Sequence, residues 1–180
     1  AMIKEGIVVT VAAGNGDEQG RPFDACRIAP GNETRALTVG ATSITDAMTT
    51  YTNYGPCIDL FAPGGDRTRA LESSWWESDT HYDLDVGTSM ASPHVAGAAA
   101  LLLQSDPTAT PAQIAALIVN SATPDVITGL AAGSPNLVLY TGAAFVSPNP
   151  VAPSVPTSLT AVGGVTQASL AWIAPTQSGG

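Results

Sequence analysis

A serine at the start of an apolar segment is the residue in this sequence best placed for nucleophilic chemistry. Ser89 ends the small-residue turn Gly87-Thr88-Ser89, which runs without a break into an apolar stretch that reaches Leu103. That stretch is too long for a strand, so we predict a helix whose first turn carries the Ser89 hydroxyl. The free N–H groups and the positive dipole end of a first turn stabilise an alkoxide-like nucleophile or a neighbouring oxyanion. The alternative is that Ser89 only caps the helix, since serine is a common N-cap residue.

The residues around Ser89 form a longer pattern, G-T-S-M-A-S-P-H-V-A-G, from Gly87 to Gly97. This string resembles the nucleophile motif of the subtilisin-like serine proteases, and the resemblance implies that Ser89 attacks the scissile carbonyl. The lipase-type elbow is a different motif, because it needs glycine two residues after the serine, where this chain has Ala91. His94 lies five residues along the same predicted helix, so its ring should point away from the Ser89 hydroxyl. We interpret His94 as a packed structural residue.

A second family-like segment follows the first predicted strand. Residues 6–13, G-I-V-V-T-V-A-A, are typical of a parallel strand buried on both faces, and they end at Gly14-Asn15-Gly16. Asn-Gly is a common turn pair, so a purely conformational role for Asn15 is one interpretation. V-A-A-G-N also resembles the oxyanion segment of the subtilisin-like proteases, which implies that the Asn15 amide and the backbone N–H of Ser89 bind the tetrahedral intermediate. By the same resemblance, the floor of the pocket for the residue before the scissile bond is formed by Ala12, Ala13 and Gly14.

The general base that the resemblance requires is not found in the sequence. The resemblance covers roughly Gly6 to Tyr140, and the aspartate and H-G-T type histidine segments lie upstream in subtilisin-like chains. His81 precedes Ser89 by eight residues, but the family supplies no histidine from that side. We therefore expect the sequence to begin within a domain, and an upstream part of the same polypeptide to supply the triad Asp and His. The 180-residue chain alone is expected to be inactive, since losing the base costs about a millionfold in subtilisin.

Composition and charge restrict the partners. The chain has 15 acidic and 6 scattered basic residues, a net charge of -9, which disfavours nucleic acid as a partner. The longest uncharged apolar run, from Val95 to Leu103, is too short for a bilayer, so we predict no membrane partner. Protein or peptide substrates follow from the resemblance. The low pI and the many Gly, Pro, Ser and Thr residues favour a secreted, extracellular protein.

The two cysteines, Cys26 and Cys57, are too far apart in sequence for a compact redox or zinc motif. Two buried free thiols are possible, although an even count in a secreted-looking chain favours one disulfide. Their positions resemble a disulfide of the proteinase K-like and aqualysin-like branch of the family. That resemblance implies a Cys26–Cys57 bond.

Asp59 belongs to a segment, N-Y-G-P-C-I-D-L-F-A-P-G, that resembles another part of the same branch. An exposed aspartate at a strand edge is the simplest interpretation. In the proteinase K branch, however, a carboxylate in this segment binds calcium beside backbone carbonyls of the preceding loop. The resemblance therefore implies a calcium site made by Asp59 and the carbonyls of Thr34 and Ala36, a mixed oxygen set that suits calcium.

The rest of the chain defines the expected domains. Thr110-Pro111-Ala112-Gln113 predicts a capping box before a helix that buries Ile114, Leu117, Ile118 and Ser121. The resemblance implies an α/β fold, the subtilisin-like three-layer αβα arrangement with a mostly parallel sheet and its N-terminal strands missing. We expect this peptidase portion to span residues 1–142. Proline-rich residues 143–156 predict an extended linker. Residues 157–180 alternate like two antiparallel strands and resemble the beginning of a fibronectin type III β-sandwich.

Two other functions are compatible with the sequence. One is a noncatalytic extracellular module that binds peptide or polysaccharide through the fibronectin-like tail and the acidic, Trp-rich segment 66–85. A surface hairpin with solvated carboxylates is the simpler interpretation of that segment. The other is an esterase that uses the same oxyanion hole, since the fold by itself does not fix the substrate.

Overall fold

A mostly parallel sheet is the centre of the structure, a computed structural model that describes residues 2–142, 157–164 and 167–173. The sheet comprises β1 (Thr10–Ala12), β2 (Leu37–Thr42), β3 (Leu60–Pro63), β6 (Thr123–Pro124) and β7 (Leu137–Val138), in the order β1-β2-β3-β7-β6. The first four strands in that order are parallel, and β6 is antiparallel to β7. Two single 3-10 turns lie at Met2–Glu5 and Ala25–Arg27. The predicted α/β class with a mostly parallel sheet is confirmed.

Two helices, α1 (Thr88–Ser105) and α2 (Pro111–Ser121), cover one face of this sheet. The Thr110 hydroxyl accepts a hydrogen bond from Gln113 N, and the Gln113 side chain accepts one from Thr110 N. This reciprocal pair satisfies two N–H groups at the start of α2 and is the predicted capping box. Pro111 occupies the first turn, where its missing N–H costs nothing.

The alternation of side chains along the strands separates two hydrophobic clusters. Leu60 and Ala62 of β3 point toward the helices and pack with Val95 of α1 and Ile114 of α2. Phe61, between them in sequence, points to the opposite face, as the period of two in a strand requires. Within the described residues that opposite face is covered by turns and loops, and both helices lie on the first face. The three-layer arrangement therefore stays a prediction for the part of the domain outside these residues.

Three details of the sequence prediction were wrong. β1 is only three residues long and half-buried, because among the described residues only β2 pairs with it and it forms the sheet edge. α1 is buried along one face, whereas we expected burial nearly all around, and its Leu101 is 40% exposed. In α2, Ile114 and Ile118 are buried but Leu117 is 48% exposed, because it lies outside the stripe that faces α1 and the sheet.

Two hairpins complete the described structure. β4 (Leu71–Ser74) and β5 (Tyr82–Asp85) pair antiparallel and lead directly to α1, as predicted for the acidic segment. β8 (Thr157–Gly164) and β9 (Gln167–Ile173) form the antiparallel pair expected near the C-terminus. The predicted linker, residues 143–156, lies outside the described residues. In the described part of the chain, no helix combines the length and apolar character needed to cross a membrane.

Candidate active site

Ser89 lies in the first turn of α1 and is exposed. The N-cap position belongs to Gly87, and no side chain caps the turn, so the alternative that Ser89 is an N-cap is wrong. Gly87 has φ 154° and ψ 168°, a backbone conformation that essentially only glycine adopts. Its N–H donates to the carbonyl of Gly64, which fixes the turn against the end of β3. The serine hydroxyl is therefore presented to solvent at a helix N-terminus by a turn that is rigidly held.

Asn15 is tied to the same turn through Thr88. The Thr88 N–H and the Thr88 hydroxyl both donate to Asn15 Oδ1, at 2.9 and 2.8 Å, and the hydroxyl also accepts from Gly14 N at 3.2 Å. A backbone N–H only donates, so Oδ1 must be the atom that faces Thr88. The Asn15 NH₂ group consequently faces the other way. Thr88 itself is fully buried.

Gly87 shows how close the two expected N–H donors lie to one another. A Cβ built on Gly87 is 3.1 Å from Asn15 Nδ2 and 3.7 Å from the backbone nitrogen of Ser89. Both donors thus border one small space, which stays open because residue 87 has no side chain. The structure brings Asn15 and Ser89 together, and the arrangement can hold a negatively charged oxygen beside the serine.

Asn53 organises the loop that carries Asn15, a role that the sequence analysis missed. Its buried side chain donates to the Ala13 carbonyl at 2.9 Å and accepts from Gly16 N at 3.2 Å and from Phe23 N at 3.0 Å. Its own N–H donates to the Gly14 carbonyl. The N-Y-G string gives no signal of this role, because neither the burial of Asn53 nor its distant hydrogen-bond partners can be read from the sequence pattern. Thr88, in G-T-S-M-A, was missed for the same reason.

The three residues expected to floor a substrate pocket differ in exposure. Ala12 and Gly14 are half-buried, whereas Ala13 is fully buried in the cluster around Phe61. Gly14 has φ +100°, and a Cβ there would lie 2.5 Å from Asn53 Nδ2. Glycine fits this position for two reasons: it adopts the positive φ readily, and it has no Cβ to clash with the Asn53 side chain.

Each of the two histidines has a ring nitrogen bonded to a group other than Ser89. His94 Nδ1 bonds the Met90 carbonyl at 2.8 Å, one turn back along α1. Its ring is exposed, so our description of His94 as packed was wrong. The cause is its position on the solvent face of the helix. His81 lies 3.1 Å from a Glu77 carboxylate oxygen in the β4–β5 hairpin.

The residues predicted to bind calcium border a common cavity of about 450 Å³, to which Asp59, Thr34 and Ala36 all contribute. Asp59 Oδ2 accepts from Thr38 N at 2.7 Å, and Oδ1 accepts no hydrogen bond from the described residues. Burial raises the pKa of the Asp59 carboxyl, and only the Thr38 N–H opposes this effect. A half-buried carboxylate with one free oxygen fits a hard cation. Among the described residues, no cluster of three His, Cys, Asp or Glu side chains provides a metal site.

Cys26 and Cys57 form a disulfide across a sequence separation of 31 residues. Cys26 lies in the 3-10 turn whose N-terminus is capped by Asp24, and Cys57 lies shortly before β3. The bond therefore fastens the segment that follows the Asn15 loop to the sheet.

Comparisons with known proteins agree with this geometry. The model of Peptidase S8, the subtilase family, matches residues 1–166. The extracellular serine proteinase of Thermus sp. (strain Rt41A) is 49% identical over 117 residues, which are 65% of this chain and 26% of that protein. The alkaline serine exoprotease A of Vibrio alginolyticus is 41% identical over 122 residues, 68% of this chain and 21% of that protein. The chain thus spans about a quarter of the length of these curated relatives.

Solved structures show the same relationship. A cold adapted subtilisin-like serine proteinase superposes with a TM-score of 0.69 at 38% identity, covering 78% of this chain and 47% of that one. A protease of Pseudoalteromonas arctica gives a TM-score of 0.67 at 30% identity, covering 79% of this chain and 43% of that one. The sheet and helices described above therefore have the subtilisin-like arrangement.

Proposed function

Because this chain belongs to the subtilase family, we propose that it is the C-terminal part of the catalytic domain of a serine endopeptidase that cleaves peptide bonds through an acyl-enzyme. Ser89 is the nucleophile. Asn15 Nδ2 and the Ser89 N–H bind the oxyanion of the tetrahedral intermediate. The observation that carries the proposal is the space beside Gly87, which both donors border and which an exposed serine adjoins.

The general base is contributed by a part of the polypeptide upstream of these residues. Two facts support this: the chain covers only about a quarter of its curated relatives, and both of its histidines bond groups other than Ser89. The same upstream part supplies the leading strands and the second helical layer. The half-buried edge of β1 is the place where further strands can pair.

The function is tested in the full-length polypeptide with a fluorophosphonate probe, which reacts with activated serines only. We expect labelling of the wild type, loss of labelling in Ser89→Ala, and labelling of the control Ser105→Ala, whose serine lies at the far end of α1. A wild type that neither binds the probe nor cleaves casein would contradict the proposal. A wild type that cleaves esters but no peptide would make it an esterase.

The finer assignments rest on separate observations. We place the protein in the proteinase K and aqualysin-like branch, supported by the Cys26–Cys57 bond and by the cavity at Asp59. Calcium at Asp59, Thr34 and Ala36 plays a structural role. Secretion is supported by the disulfide and by the extracellular relative from Thermus.

The expected domain order is part of the same proposal. Residues 1–142 are the peptidase portion, residues 143–156 the linker, and residues 157–180 the first third of a fibronectin type III domain. The antiparallel pairing of β8 with β9 supports the last assignment. An isolated hairpin is marginal in water, so further strands downstream are needed to complete the sandwich.

A further inference from the structure

A cavity of about 590 Å³ opens beside Asn15 and is separate from the predicted pocket at residues 12–14, none of which lines it. Its wall includes Tyr51, Val86 and the turn at residues 66–67. The volume suits one or two side chains of a bound peptide. In the proposed peptidase, residues 12–14 border the part of the substrate before the scissile bond and Asn15 binds its carbonyl, which leaves this cavity to the part that follows the bond.

Only two charged residues, Asp66 and Arg67, line this cavity, and they differ in their bonding. Asp66 Oδ1 accepts hydrogen bonds from Thr68 N, the Thr68 hydroxyl and Arg69 N, and the backbones of Asp66 and Arg69 bond each other in both directions. Asp66 Oδ1 is therefore directed into its own turn. These hydrogen bonds, the Thr68 hydroxyl first, hold the pKa of Asp66 below its ordinary value.

Arg67 is the exposed side chain at the tip of that turn, and it forms no ion pair within the described residues. The base of the turn is fixed as well, because the Tyr51 hydroxyl reaches the carbonyls of Gly64 at 2.9 Å and Gly65 at 2.7 Å. A guanidinium on a well-held turn can bind a carboxylate with two parallel hydrogen bonds. The remaining lining residues are neutral, so Asp66 is the one lining residue whose charge is opposite to that of Arg67.

The geometry points to Arg67 as a specificity residue that selects a carboxylate on the leaving-group side of the substrate. The inference rests on the proposed peptidase function. The carboxylate can come from an Asp or Glu side chain or from the free C-terminus of a short peptide. The net charge of -9 on these 180 residues does not favour acidic peptides, so the preference is expected from the local contact with Arg67.

The test uses the full-length polypeptide and peptides that differ at one position after the cleaved bond, where they carry Glu, Gln or Lys. We expect kcat/KM to favour Glu over Gln by about two- to fivefold, the range for an exposed ion pair. In Arg67→Gln the preference disappears, and in Arg67→Glu it shifts to Lys. The control Arg69→Gln lies in the same turn, does not line the cavity, and keeps the wild-type preference.

A second arm compares free and amidated C-termini on Glu and Gln peptides that end shortly after the cleaved bond. A rate that depends on both the free terminus and Arg67 identifies the terminal carboxylate as the group that binds Arg67. A Glu preference that persists after amidation identifies the Glu side chain instead. Equal rates for all peptides, or identical profiles of Arg67→Gln and Arg69→Gln, overturn the inference and leave the peptidase function intact. Absence of any peptide cleavage by the wild type refutes the peptidase function itself, and the inference with it.

Discussion

Thr88 binds Asn15 Oδ1 with both its backbone N–H and its hydroxyl, at 2.9 and 2.8 Å. This double contact decides which end of the amide faces the open space at Gly87, and it joins the loop after β1 to the start of α1. The Asn15 amide group, which we propose as an oxyanion donor, is thus held in place before any substrate binds. Such preorganisation is what makes a hydrogen bond effective in stabilising a transition state.

Replacing Thr88 with valine should reduce turnover without changing substrate affinity. Thr88→Val keeps the backbone N–H but removes the hydroxyl, so Asn15 loses one of the two bonds that orient it. We expect kcat of the full-length enzyme to fall by about tenfold, less than the hundred- to thousandfold loss on removing an oxyanion donor. Steady-state kinetics with a chromogenic peptide measure the effect, and Thr88→Ser, which keeps the hydroxyl, is the control. A fall in kcat/KM through KM alone contradicts this role.

Gly14 should tolerate no side chain. A Cβ at residue 14 would lie 2.5 Å from the buried Asn53 amide, and φ is +100°. Gly14→Ala should therefore lower the free energy of unfolding by about 2 to 4 kcal/mol. Gly20→Ala is a matched control, since Gly20 also has positive φ but no atom within 4 Å of its Cβ position. Denaturant titration measures both, and equal losses would show that backbone strain alone is responsible.

Removing the disulfide should destabilise the folded chain considerably. The Cys26–Cys57 bond closes a separation of 31 residues, for which the chain-entropy estimate is about 3 to 4 kcal/mol. We expect the double variant Cys26→Ser, Cys57→Ser to unfold at a correspondingly lower denaturant concentration. The wild type with reductant should behave like the double variant, whereas the variant should not respond to reductant. A wild type whose midpoint is unchanged by complete reduction contradicts this.

The convergence of Ser89 and Asn15 could be predicted from sequence, because both lie in long motifs at the junctions of recognisable elements. The sequence could not show how Asn15 is held. Thr88 and Asn53 are separated from the loop at residues 13–16 by more than 35 positions, and their bonds exist only after the strands pair. Polar residues that satisfy distant backbone groups are not identified by periodicity.

Burial was predicted less well than position. The apolar segment of α1 suggested burial all around, but exposure depends on which elements surround the helix, as Leu101 shows. β1 likewise has the β-branched composition of a central strand, although only one neighbour pairs with it in the described residues. Apolar sequence indicates surfaces that require a partner, and it does not tell which part of a polypeptide provides that partner.

Calcium should stabilise the wild type through Asp59. Burial raises the pKa of this carboxyl in the folded protein. At pH values between the pKa of the unfolded state and that of the folded state, the native state therefore binds more protons than the unfolded state. Without a cation, stability therefore falls as pH rises through that window, and the charged form at neutral pH is unfavourable. A bound cation stabilises the charged Asp59 carboxylate and so offsets this loss of stability. We expect Tm to rise with calcium, corresponding to about 2.7 kcal/mol at a hundred times Kd.

The matched variants for this site are Asp59→Asn and Asp79→Asn. Asp59→Asn should be slightly more stable than the wild type in chelator and should gain nothing from calcium. Asp79, in the exposed turn of the β4–β5 hairpin, borders no part of the cavity, so its variant should respond like the wild type. A calcium response that survives in Asp59→Asn assigns the ion to another site.

The 180 residues alone should bind no covalent serine reagent and cleave no peptide. Ser89 is exposed and the two N–H groups that we propose as oxyanion donors border one space, but a hydroxyl without a base is a poor nucleophile. His94 bonds the Met90 carbonyl one turn back along α1 and His81 lies against Glu77, so we expect neither to act as the base for Ser89. The chain, checked for folding by circular dichroism, is incubated with casein and a fluorophosphonate beside the full-length enzyme. Inhibitor-sensitive cleavage that disappears in Ser89→Ala of the short chain contradicts the prediction and requires a base among these residues. Cleavage that persists in that variant comes from a contaminant.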